Sequence, residues 1–531
     1  MPIWQDIMEP IGHEGLGRLL KLEDGLHTPH VVFSVEGLTE SADLSSTGTI
    51  KIGKIFDLPP SPLGLDSEKT PYLQLSKTIA VFDNAYSTNP KKLVEMAAAF
   101  RSEAGYSRLL YAPAVEPSQM PVLAYLGVDI FDDLNVELRS STGWILDSGE
   151  WIKQKEPIDD LFSHNRAELS RWILKIRNAL ANGKLRELVE ITSLHNPRVS
   201  QILYHSASLL IEKGARVHST IRSNDLSLNH PAILDFQNRL SDYEPPAKEM
   251  VLLILPCSAR KPYFKSSSHK RFYNAIRELD NHLALHIVSV TSPLGLVPRE
   301  LEFCYPAAHY DIAVTGSWSA SEVEMLRAQL AKLRPKKHYI KAIVHAGSSS
   351  EIMTDLVKEL GIDVVNTRVV RPSSYEGLEI LQNIAKMTLA DVPHLNTKDR
   401  AKGEAKGLAS FQYGENADFL INSEISGRMP YKLRCGNLAA MSPVVGGFGL
   451  TMNGGIEYSN QGGPIVFAET FKLVGDLFAV GVNAYEGDWN IGDQVVIKQN
   501  DVVTAVGIAK MTPEEMISMN RGIAVEVRHH A

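Results

Sequence analysis

The stretch 251–295 reads VLLILPCSARKPYFKSSSHKRFYNAIRELDNHLALHIVSVTSPLG, and it decides the fold of the middle of this chain. An apolar run of strand length, VLLIL, is followed by a helical stretch, HKRFYNAIRELD, and then by a second apolar run, LHIVSV. The alternation continues to about residue 388 through the runs DIAVT, AIVHA and IDVVN. Buried strands that alternate with helices are typical of a parallel sheet covered on both faces. The sequence therefore predicts a doubly wound α/β/α domain here.

Polar clusters follow four of these predicted strands. They are Pro256-Cys257-Ser258, Thr291-Ser292-Pro293-Leu294-Gly295, Thr315-Gly316-Ser317-Trp318 and His345-Ala346-Gly347. Each cluster by itself has the composition of an ordinary turn between a strand and a helix. In an open parallel sheet, however, ligands bind in the crevice outside the carboxyl ends of the strands. Because the clusters and their neighbours are jointly rich in Cys, Lys, Tyr, His, Arg and Glu, we expect a functional site at this edge.

The segments on either side indicate further domains. Up to about residue 163, strand-like runs such as HVVFSV (30–35) alternate with helical pieces such as PKKLVEMAAAF (90–100), and from 164 to 243 the pattern is helical. The linker SDYEPPAKEM (241–250) ends that region, and glycine-rich strand-and-turn sequence follows LNTKDRAKGEAKG. We therefore expect four domains, at residues 1–245, 246–394, 395–458 and 459–531.

Composition sets broad limits on the function. The chain has 531 residues, 44% of them hydrophobic, and no run approaches the roughly 20 apolar residues of a membrane span. The start, MPIWQDIMEPIGHEG, lacks the basic and apolar regions of a secretory signal, so we expect a cytoplasmic protein without membrane contact. The net charge of -8 argues against nucleic-acid binding unless a local basic face provides it.

The cysteines give no sign of a metal site. Cys257, Cys304 and Cys435 are the three cysteines of the chain, and they are too widely spaced for a CxxC clip or a disulfide framework. We therefore expect neither a structural zinc ion nor any other metal.

One motif in the predicted α/β/α domain identifies a family. Pro256-Cys257, Lys261-Pro262-Tyr263, Ser266 and His269 form the pattern PC-x3-KPY-x2-S-x2-H. This pattern resembles the motif of archaeosine synthases, spacing for spacing. The downstream segments SPLGLVPRELE (292–302) and HYDIAVTGSW (309–318) and the pair Tyr305-Pro306 are also similar to that family. The resemblance spans the whole α/β/α domain.

The first domain resembles a tRNA-guanine transglycosylase that has lost its active site. GLGRLLKLEDGLHTP (15–29) is similar to the start of those enzymes, which implies a degenerate (β/α) barrel. Their nucleophile segment, DSGGFQ, survives only as the fragment Asp147-Ser148-Gly149, and no CxCxxC precedes His164-Asn165. The resemblance therefore implies neither base exchange nor zinc in this domain.

The last two domains resemble the carboxyl-terminal part of archaeal transglycosylases. Residues 395–458 are similar to their small α+β linker domain, and the tail from about Gly462 is similar to a PUA domain, an RNA-binding module. RNA contact would then rest on Lys472, Arg521 and Arg528, through phosphates and unpaired nucleotides. Each of these residues could instead be a solvated surface charge.

The family resemblance implies a transferase that modifies tRNA. The side-chain amine of free L-lysine would add to the nitrile of 7-cyano-7-deazaguanine (preQ0) at position 15 of archaeal tRNA. The product is an amidine-linked lysine adduct, the precursor of archaeosine, and no cofactor is needed. A radical S-adenosylmethionine partner enzyme would then cleave the adduct, because this chain lacks the cysteine triad of an iron–sulfur cluster. Two alternatives are amidine formation from glutamine or ammonia, and a non-catalytic paralogue that only binds tRNA.

Several side chains fit the demands of this chemistry. We expect His269 to titrate near neutral pH and carry protons, with Tyr263 or Lys261 as the donor toward the nitrile nitrogen. Eight residues could bind the α-carboxylate or the α-ammonium of the substrate lysine, by charge or by hydrogen bonding. They are Lys261, Arg299, Ser258, Ser266, Ser292, Glu300, Glu302 and Asp311. Each acid could instead be a cap or a surface partner, although the position of Asp311 beside a predicted strand favours catalysis.

Cys257 permits a second mechanism. Its thiolate could attack the nitrile first, so that lysine then displaces a thioimide. A small buried cysteine that shapes the turn would look the same in the sequence.

Overall fold

In the computed structural model the chain divides into two compact units, Met1–Ser219 with Pro464–His530, and Thr220–Gly463 with Ala531. We call them the first unit and the second unit. The residues described are 8–22, 25–33, 49–52, 54–57, 72–75, 79–83, 85, 89–153, 160–216, 219–223, 225–246, 250–312, 316–336 and 339–531. Within these ranges, no helix is both long enough and apolar enough to cross a membrane.

The amino-terminal part of the first unit is built on a five-stranded sheet. Its elements are β1 Met8–Glu14, β2 Gly17–Leu22, β3 His30–Val32, β4 Thr49–Ile52, β5 Lys54–Asp57, β6 Tyr72–Leu75, β7 Ile79–Asp83, α1 Pro90–Ala104, β8 Leu109–Tyr111, α2 Met120–Tyr125, β9 Ile130–Asp132, α3 Leu134–Ser141, β10 Trp144–Asp147, β11 Glu150–Lys153, α4 Leu161–Ala181, α5 Leu185–His195 and α6 Pro197–Lys213. The sheet has the order β3-β9-β8-β7-β6, and only β6 runs antiparallel.

The expected (β/α) barrel is not confirmed. In the part of the chain that the structure describes, the five strands form an open sheet, while β1 with β2 and β10 with β11 form separate hairpins. The predicted helical region is present as α4, α5 and α6. These helices form because their apolar residues recur at helical spacing, as with Leu169, Trp172, Ile173 and Ile176 of α4, which are all buried.

The carboxyl-terminal part of the first unit is a six-stranded, mostly antiparallel sheet. Its elements are β23 Ile465–Ala468, β24 Leu477–Phe478, β25 Val482–Glu486, β26 Gln494–Gln499, β27 Val502–Ala509, α15 Pro513–Ser518 and β28 Ile523–His530. It has the order β24-β28-β27-β26-β23-β25. One hydrophobic core contains residues from this sheet, such as Val495 and Ala524, together with Leu20, Val81 and Ile130 of the amino-terminal part. These two parts of the first unit therefore share a core.

The second unit contains the α/β/α domain. Its elements are β12 Ile221–Ser223, α7 Pro231–Arg239, β13 Met250–Pro256, α8 Ser267–Ile276, β14 Leu285–Thr291, β15 Gly295–Pro298, β16 Tyr310–Ile312, α9 Ala320–Lys336, β17 Tyr339–Val344, α10 Ser350–Glu359, β18 Asp363–Asn366 and α11 Tyr375–Leu389. The central sheet has the order β15-β14-β13-β17-β18, with β14, β13, β17 and β18 parallel. One core cluster packs α8 and α11 against this sheet, through Phe272, Ile276, Leu381 and Ala385. The predicted parallel α/β sheet is confirmed.

Two segments of the α/β/α domain differ from the prediction. Gly295, the last residue of a predicted polar cluster, begins β15 (Gly295–Pro298), an antiparallel edge strand that pairs with β14 and that the sequence did not predict. The run DIAVT does not continue the central sheet, because its described part lies in β16, which pairs in parallel with β12. Residues 313–315, and with them the predicted Thr315, lie outside the described residues.

A small α+β region completes the second unit. Its elements are α12 Thr397–Tyr413, α13 Asp418–Ile421, β19 Ile425–Ser426, β20 Arg434–Cys435, β21 Ala439–Ser442, β22 Gly447–Leu450 and α14 Met452–Asn460. The four strands form an antiparallel sheet in chain order. Gly427 closes the hairpin between β19 and β20 with a φ of +79°, and a Cβ there would lie 1.7 Å from the carbonyl oxygen of Lys432. Only glycine fits this turn without rearrangement.

Candidate active site

The sequence motif forms the connection between the central strand β13 and the helix α8. After Pro256 the chain leaves the sheet, passes through a short 3₁₀ turn at Tyr263–Lys265 and enters α8. Ser266 starts the helix, because its Oγ accepts a hydrogen bond from the backbone N–H of His269 at 3.2 Å. The motif residues therefore lie at the carboxyl end of a parallel strand, where ligands bind in this type of fold.

A chain of hydroxyl groups connects three segments at this edge. The hydroxyls of Tyr263 and Tyr310 are hydrogen-bonded, and that of Tyr310 lies 2.6 Å from Oγ1 of Thr291. Thr291 in turn donates to the carbonyl oxygen of Ser292 at 3.0 Å. Tyr263, Tyr310 and Thr291 are all buried. Burial and the neighbouring phenol and thiol raise the pKa of Tyr263, and burial raises that of Tyr310, so both hydroxyls stay protonated at neutral pH.

The amine of Lys261 lies over the ring of Tyr310, one of these hydrogen-bonded residues. Its Nζ is 4.2 Å from the centre of the Tyr310 ring, a cation–π distance when the amine is charged. Burial lowers the pKa of Lys261, and the nearby Cys257 and Asp311 only partly offset this effect. The amine is half-buried, so it is reachable and has an increased tendency to be neutral.

The sequence-predicted Cys257 and Asp311 lie within electrostatic reach of Lys261. The backbone N–H of Cys257 donates to the carbonyl oxygen of Val290 at 3.2 Å, which ties the loop to β14. Cys257 is half-buried, whereas Cys304 and Cys435 are buried. Asp311 is exposed on β16.

His269 does not titrate near neutral pH as expected. It is fully buried, and its Nε2 lies 2.9 Å from the carbonyl oxygen of Pro256, so this nitrogen carries the proton. Its ring stacks on that of Tyr263, with ring centres 5.3 Å apart. Burial, and then the positive charge of Arg299, lower the pKa of His269 to about 4. His269 is therefore neutral at physiological pH, and its contacts position the motif loop.

The group that titrates near neutral pH is Glu302. Its Oε2 accepts the backbone N–H of Phe264 at 2.8 Å, while its buried Oε1 has no hydrogen-bond partner among the described residues. Burial raises the pKa of Glu302 to about 7, against the opposing effects of Arg299 and the Phe264 N–H. A buried carboxyl oxygen without a partner is unusual in a folded protein and marks Glu302 for a functional hypothesis.

Other predicted binding residues already have partners within the protein. The Tyr243 hydroxyl donates to Oε1 of Glu300 at 2.5 Å, and His286, which also interacts with Glu300, lies 2.6 Å from the Tyr339 hydroxyl. Ser258 donates to the carbonyl oxygen of Arg260 at 2.9 Å. Ser266 is occupied as the helix cap described above. These contacts give Glu300 and Ser266 a role in the fold, although Oε2 of Glu300 is buried without a hydrogen-bond partner among the described residues.

Arg299 is different from these residues. Its guanidinium lies 5.7 Å from the Tyr273 ring centre, and among the described residues it forms no ion pair. A half-buried guanidinium with unused donors suits a carboxylate ligand.

The remaining predicted clusters are tied into turns. His345 lies 3.0 Å from Oγ1 of Thr367 through Nδ1 and 2.9 Å from the carbonyl oxygen of Pro372 through Nε2. Trp318 donates to Oγ of Ser349 at 3.0 Å. These contacts are sufficient to explain both residues as structural.

Sequence reasoning did not single out Tyr310 or Phe264. Tyr310 stood only within the segment 309–318, whereas Thr291 belonged to one of the predicted polar clusters. The signal available was the recurrence of hydroxyl side chains at strand ends, which becomes meaningful only when the segments are brought together.

A cavity in the described part of the chain lies apart from the predicted site residues. An open cavity of about 810 Å³ lies in the α+β region, lined by residues such as Asp418, Asn437 and Glu457, and it contains none of the predicted site residues. Among the described residues, no group of three or more His, Cys, Asp or Glu side chains could hold a metal ion.

The residues expected to contact RNA belong to the first unit. Lys472, Arg521 and Arg528 are exposed, and Arg528 forms an ion pair with Glu526 at 2.7 Å.

Comparisons with known proteins agree with this description. Residues 233–385 match the model of a domain of unknown function, DUF5591, and residues 468–531 match the PUA domain. The archaeosine synthase subunit alpha of Methanosarcina acetivorans is 30% identical over 487 residues, which are 83% of this chain and 77% of that protein. The chain belongs to the archaeosine synthase family. The archaeosine synthase of Haloferax volcanii is 30% identical over 458 residues, 79% of this chain and 76% of that protein.

A solved structure, that of the protein of unknown function AF0587, covers 55% of this chain and 97% of its own, with 24% identity and a TM-score of 0.42. This likeness is too distant to add to the assignment. Membership of the archaeosine synthase family makes this chain an enzyme of archaeosine biosynthesis, a tRNA modification, with an RNA-binding PUA domain at its carboxyl end.

Proposed function

We propose that this archaeosine synthase adds the side-chain amine of free L-lysine to the nitrile of preQ0 at position 15 of tRNA. The observation that carries the proposal is the cluster at the end of β13, where the half-buried Lys261 amine lies over Tyr310 and beside Cys257. Family membership names the pathway, and this cluster suits an addition to a nitrile.

The reaction moves two protons from the amine nitrogen to the nitrile nitrogen and expels no group. The ε-ammonium of the substrate loses one proton to a base, its nitrogen forms a bond to the nitrile carbon, and the nitrile nitrogen gains that proton. The second proton then passes from the newly bonded nitrogen to the former nitrile nitrogen. The product is an amidinium that retains the positive charge. Because a free lysine amine has a pKa of about 10.4, the enzyme must provide a base.

Lys261 suits both proton transfers. With a lowered pKa, its neutral amine accepts the proton of the substrate ammonium and then donates it to the nitrile nitrogen. The hydrogen bonds that join the hydroxyls of Tyr263, Tyr310 and Thr291 hold the Tyr310 ring, over which this amine lies. We assign His269 to positioning this chain, through its stacking on Tyr263. Asp311 stabilises the charged form of Lys261 between the two transfers.

We assign substrate lysine to the free groups beside the cluster. The α-carboxylate would bind Arg299, and the α-ammonium would bind the unpartnered Oε1 of Glu302. Ser258 and the Ser292 segment border the same loop. Holding the substrate amine and the nitrile in the reactive orientation lowers the activation free energy by roughly 7–11 kcal/mol.

Covalent catalysis is the second candidate mechanism. The half-buried Cys257 lies close to Lys261, so its sulfur is placed where a nitrile bound at that amine could be attacked. Direct attack remains our proposal, because a neutral amine adds to a nitrile without a covalent relay.

We also propose how tRNA and partners are engaged. Lys472, Arg521 and Arg528 of the PUA domain would contact tRNA phosphates. The name "subunit alpha" of the Methanosarcina acetivorans relative suggests a second subunit. We propose that this partner is a radical S-adenosylmethionine enzyme that cleaves the lysine adduct. The division of the chain into four domains at residues 245, 394 and 458 likewise stays a proposal.

Mass spectrometry of tRNA nucleosides tests the proposal. Nitrile-bearing tRNA is incubated with the protein and ¹⁵N-labelled lysine, and in parallel with labelled glutamine or ammonium. We expect the mass of one whole lysine to be added to the base, with lysine alone. Incorporation of a single nitrogen from glutamine or ammonium would show that the nitrogen donor is not lysine. No product with any amine, with tRNA binding intact, would favour a non-catalytic protein.

A further inference from the structure

The hairpin between β19 and β20 carries an unusual surface. Residues 427–434 read GRMPYKLR, and Arg428, Tyr431, Lys432 and Arg434 are all exposed. The loop has three positive charges and no acid, in a chain whose net charge is -8. Among the described residues, none of the three basic side chains forms an ion pair. We call residues 427–434 the basic hairpin loop.

The tip of this loop packs on the catalytic motif. The Tyr431 ring lies 5.6 Å from the ring centre of Phe264 and 5.6 Å from that of Phe303. The Nζ of Lys265 lies 5.9 Å from the Tyr431 ring centre. Phe303 is buried, but 49% of Tyr431 remains exposed. One half of the Tyr431 side chain is therefore anchored, and the other half faces solvent.

Phe264 connects the loop to the reactive cluster. Its backbone N–H donates to Glu302, and it directly follows Tyr263 of the hydroxyl chain. Phe264 therefore contacts Tyr431 through its ring and Glu302 through its backbone.

We propose that the basic hairpin loop binds the RNA strand at the modified nucleotide. Tyr431 stacks on an unpaired base, and Arg428, Lys432 and Arg434 contact the adjacent phosphates. Exposed aromatic rings interleaved with unpaired basic residues are how proteins hold single-stranded nucleic acid. A base whose nitrile must reach Lys261 has to leave its stack, and an aromatic surface beside the cluster compensates for the lost stacking. The identity of the RNA as tRNA rests on the proposed function.

The charge contribution is tested by the salt dependence of tRNA binding. In the full-length protein, Arg428, Lys432 and Arg434 are replaced together by Ala. We expect the slope of log K against log salt concentration to become less steep by about 2, the value for three lost contacts to single-stranded RNA. The matched control replaces Lys332, Lys358 and Lys386, exposed on α9, α10 and α11, with the same change in net charge. Equal slopes for both triple variants would overturn the proposal.

The stacking contribution is tested at Tyr431. Tyr431→Ala should weaken tRNA binding by about 5- to 150-fold, while Tyr431→Phe, which keeps the ring, should bind within about two-fold of wild type. Unfolding curves of both variants check that the loop stays folded. Wild-type affinity of Tyr431→Ala would overturn the proposal, as would stronger capture of an acidic peptide than of RNA by wild type. These are equilibrium binding measurements, so they remain decisive even if lysine transfer is not observed.

Discussion

Each unit contains a cluster of ionisable side chains at the end of a parallel sheet. The two clusters differ in how completely their side chains are hydrogen-bonded or ion-paired. In the first unit Asp129 accepts hydrogen bonds from Arg18, from Arg101 at 2.7 Å and from the backbone N–H of Leu110 at 2.8 Å. In the second unit, Glu302 has one oxygen without a partner, and the Lys261 amine contacts an aromatic ring.

The difference separates a structural cluster from the one to which we assign the reaction. Burial alone would raise the pKa of Asp129, but Arg18 and Arg101 outweigh it and keep the pKa low. Burial of Glu302 and Lys261 is not outweighed, so their pKa values move toward neutrality from opposite sides. Groups that can change protonation near pH 7 are suited to catalysis, and saturated ion pairs are suited to holding a fold.

The largest effect is expected at Lys261. Lys261→Met keeps most of the apolar stem but removes the proton carrier, so turnover should fall by about 10²–10⁴-fold. The KM for tRNA should change little, because RNA contacts lie elsewhere. Steady-state kinetics with nitrile-bearing tRNA measure both constants.

Lys270→Met is the matched control, since Lys270 is exposed on α8. It should retain wild-type turnover. Retention of more than about a tenth of wild-type activity by Lys261→Met would exclude Lys261 as the proton carrier.

Asp129→Asn should have its effect on stability. It leaves Arg18 and Arg101 buried without a counter-charge, which costs about 3–5 kcal/mol in the free energy of unfolding. Because the pKa of Asp129 is lowered, the wild-type contribution is present above about pH 4 and is lost as pH falls further. Urea unfolding of wild type and variant across this range measures it.

Glu103→Gln, at an exposed site of α1, is the control and should change the free energy of unfolding by less than about 0.5 kcal/mol. Equal stability of Asp129→Asn and wild type would contradict a structural role for the cluster.

A smaller effect is expected from pH through Glu302. The carboxyl must be ionised to bind the α-ammonium of lysine, and its pKa is about 7. The KM for lysine should therefore fall as pH rises through 7, and Glu302→Gln should remove this dependence and raise KM by about ten-fold. Kinetics between pH 6 and 8 test it.

The same pKa predicts an independent change in stability. Because native Glu302 holds its proton up to about pH 7 whereas the unfolded carboxyl loses it near 4.5, wild-type stability should decrease between these values relative to Glu302→Gln. If the difference in unfolding free energy between wild type and Glu302→Gln does not change with pH, Glu302 is already ionised in the native protein over this pH range.

The smallest effect is expected at Cys257. If lysine attacks the nitrile directly, Cys257→Ser changes only local packing, and turnover should stay within about ten-fold of wild type. Cys304→Ser, at a buried site, controls for the loss of a thiol. Abolished turnover in Cys257→Ser, with both substrates still bound and a thioimide trapped in wild type without lysine, would establish the covalent route.

Sequence patterns predicted the local elements better than their pairing. The mostly apolar runs 251–255, 285–290 and 342–346 all overlap strands of the predicted sheet, because such runs need burial on both faces. The run beginning at Asp311 is also mostly apolar, yet in β16 Tyr310 pairs with Ile221 of β12, which lies much earlier in the chain. Strand pairing at that distance is decided by the fold as a whole.

The same limit applies to the site. The PC-x3-KPY-x2-S-x2-H motif correctly indicated the family, and it placed Cys257 and Lys261 at a strand end. It could not indicate that His269 is fully buried, or that Glu302, from another segment, has the pKa near 7. A pKa depends on desolvation and on neighbours that are distant in the chain.

The sequence by itself therefore determined the family, the parallel α/β sheet and the loop to which we assign the chemistry. These properties are encoded in short patterns of apolar period, turn residues and motif spacing. Only the tertiary structure decided which groups at that loop are saturated and which are free, and that the basic hairpin loop packs on Phe264. The physical reason is that burial, hydrogen-bond satisfaction and electrostatic shifts are properties of side chains brought together from separate segments.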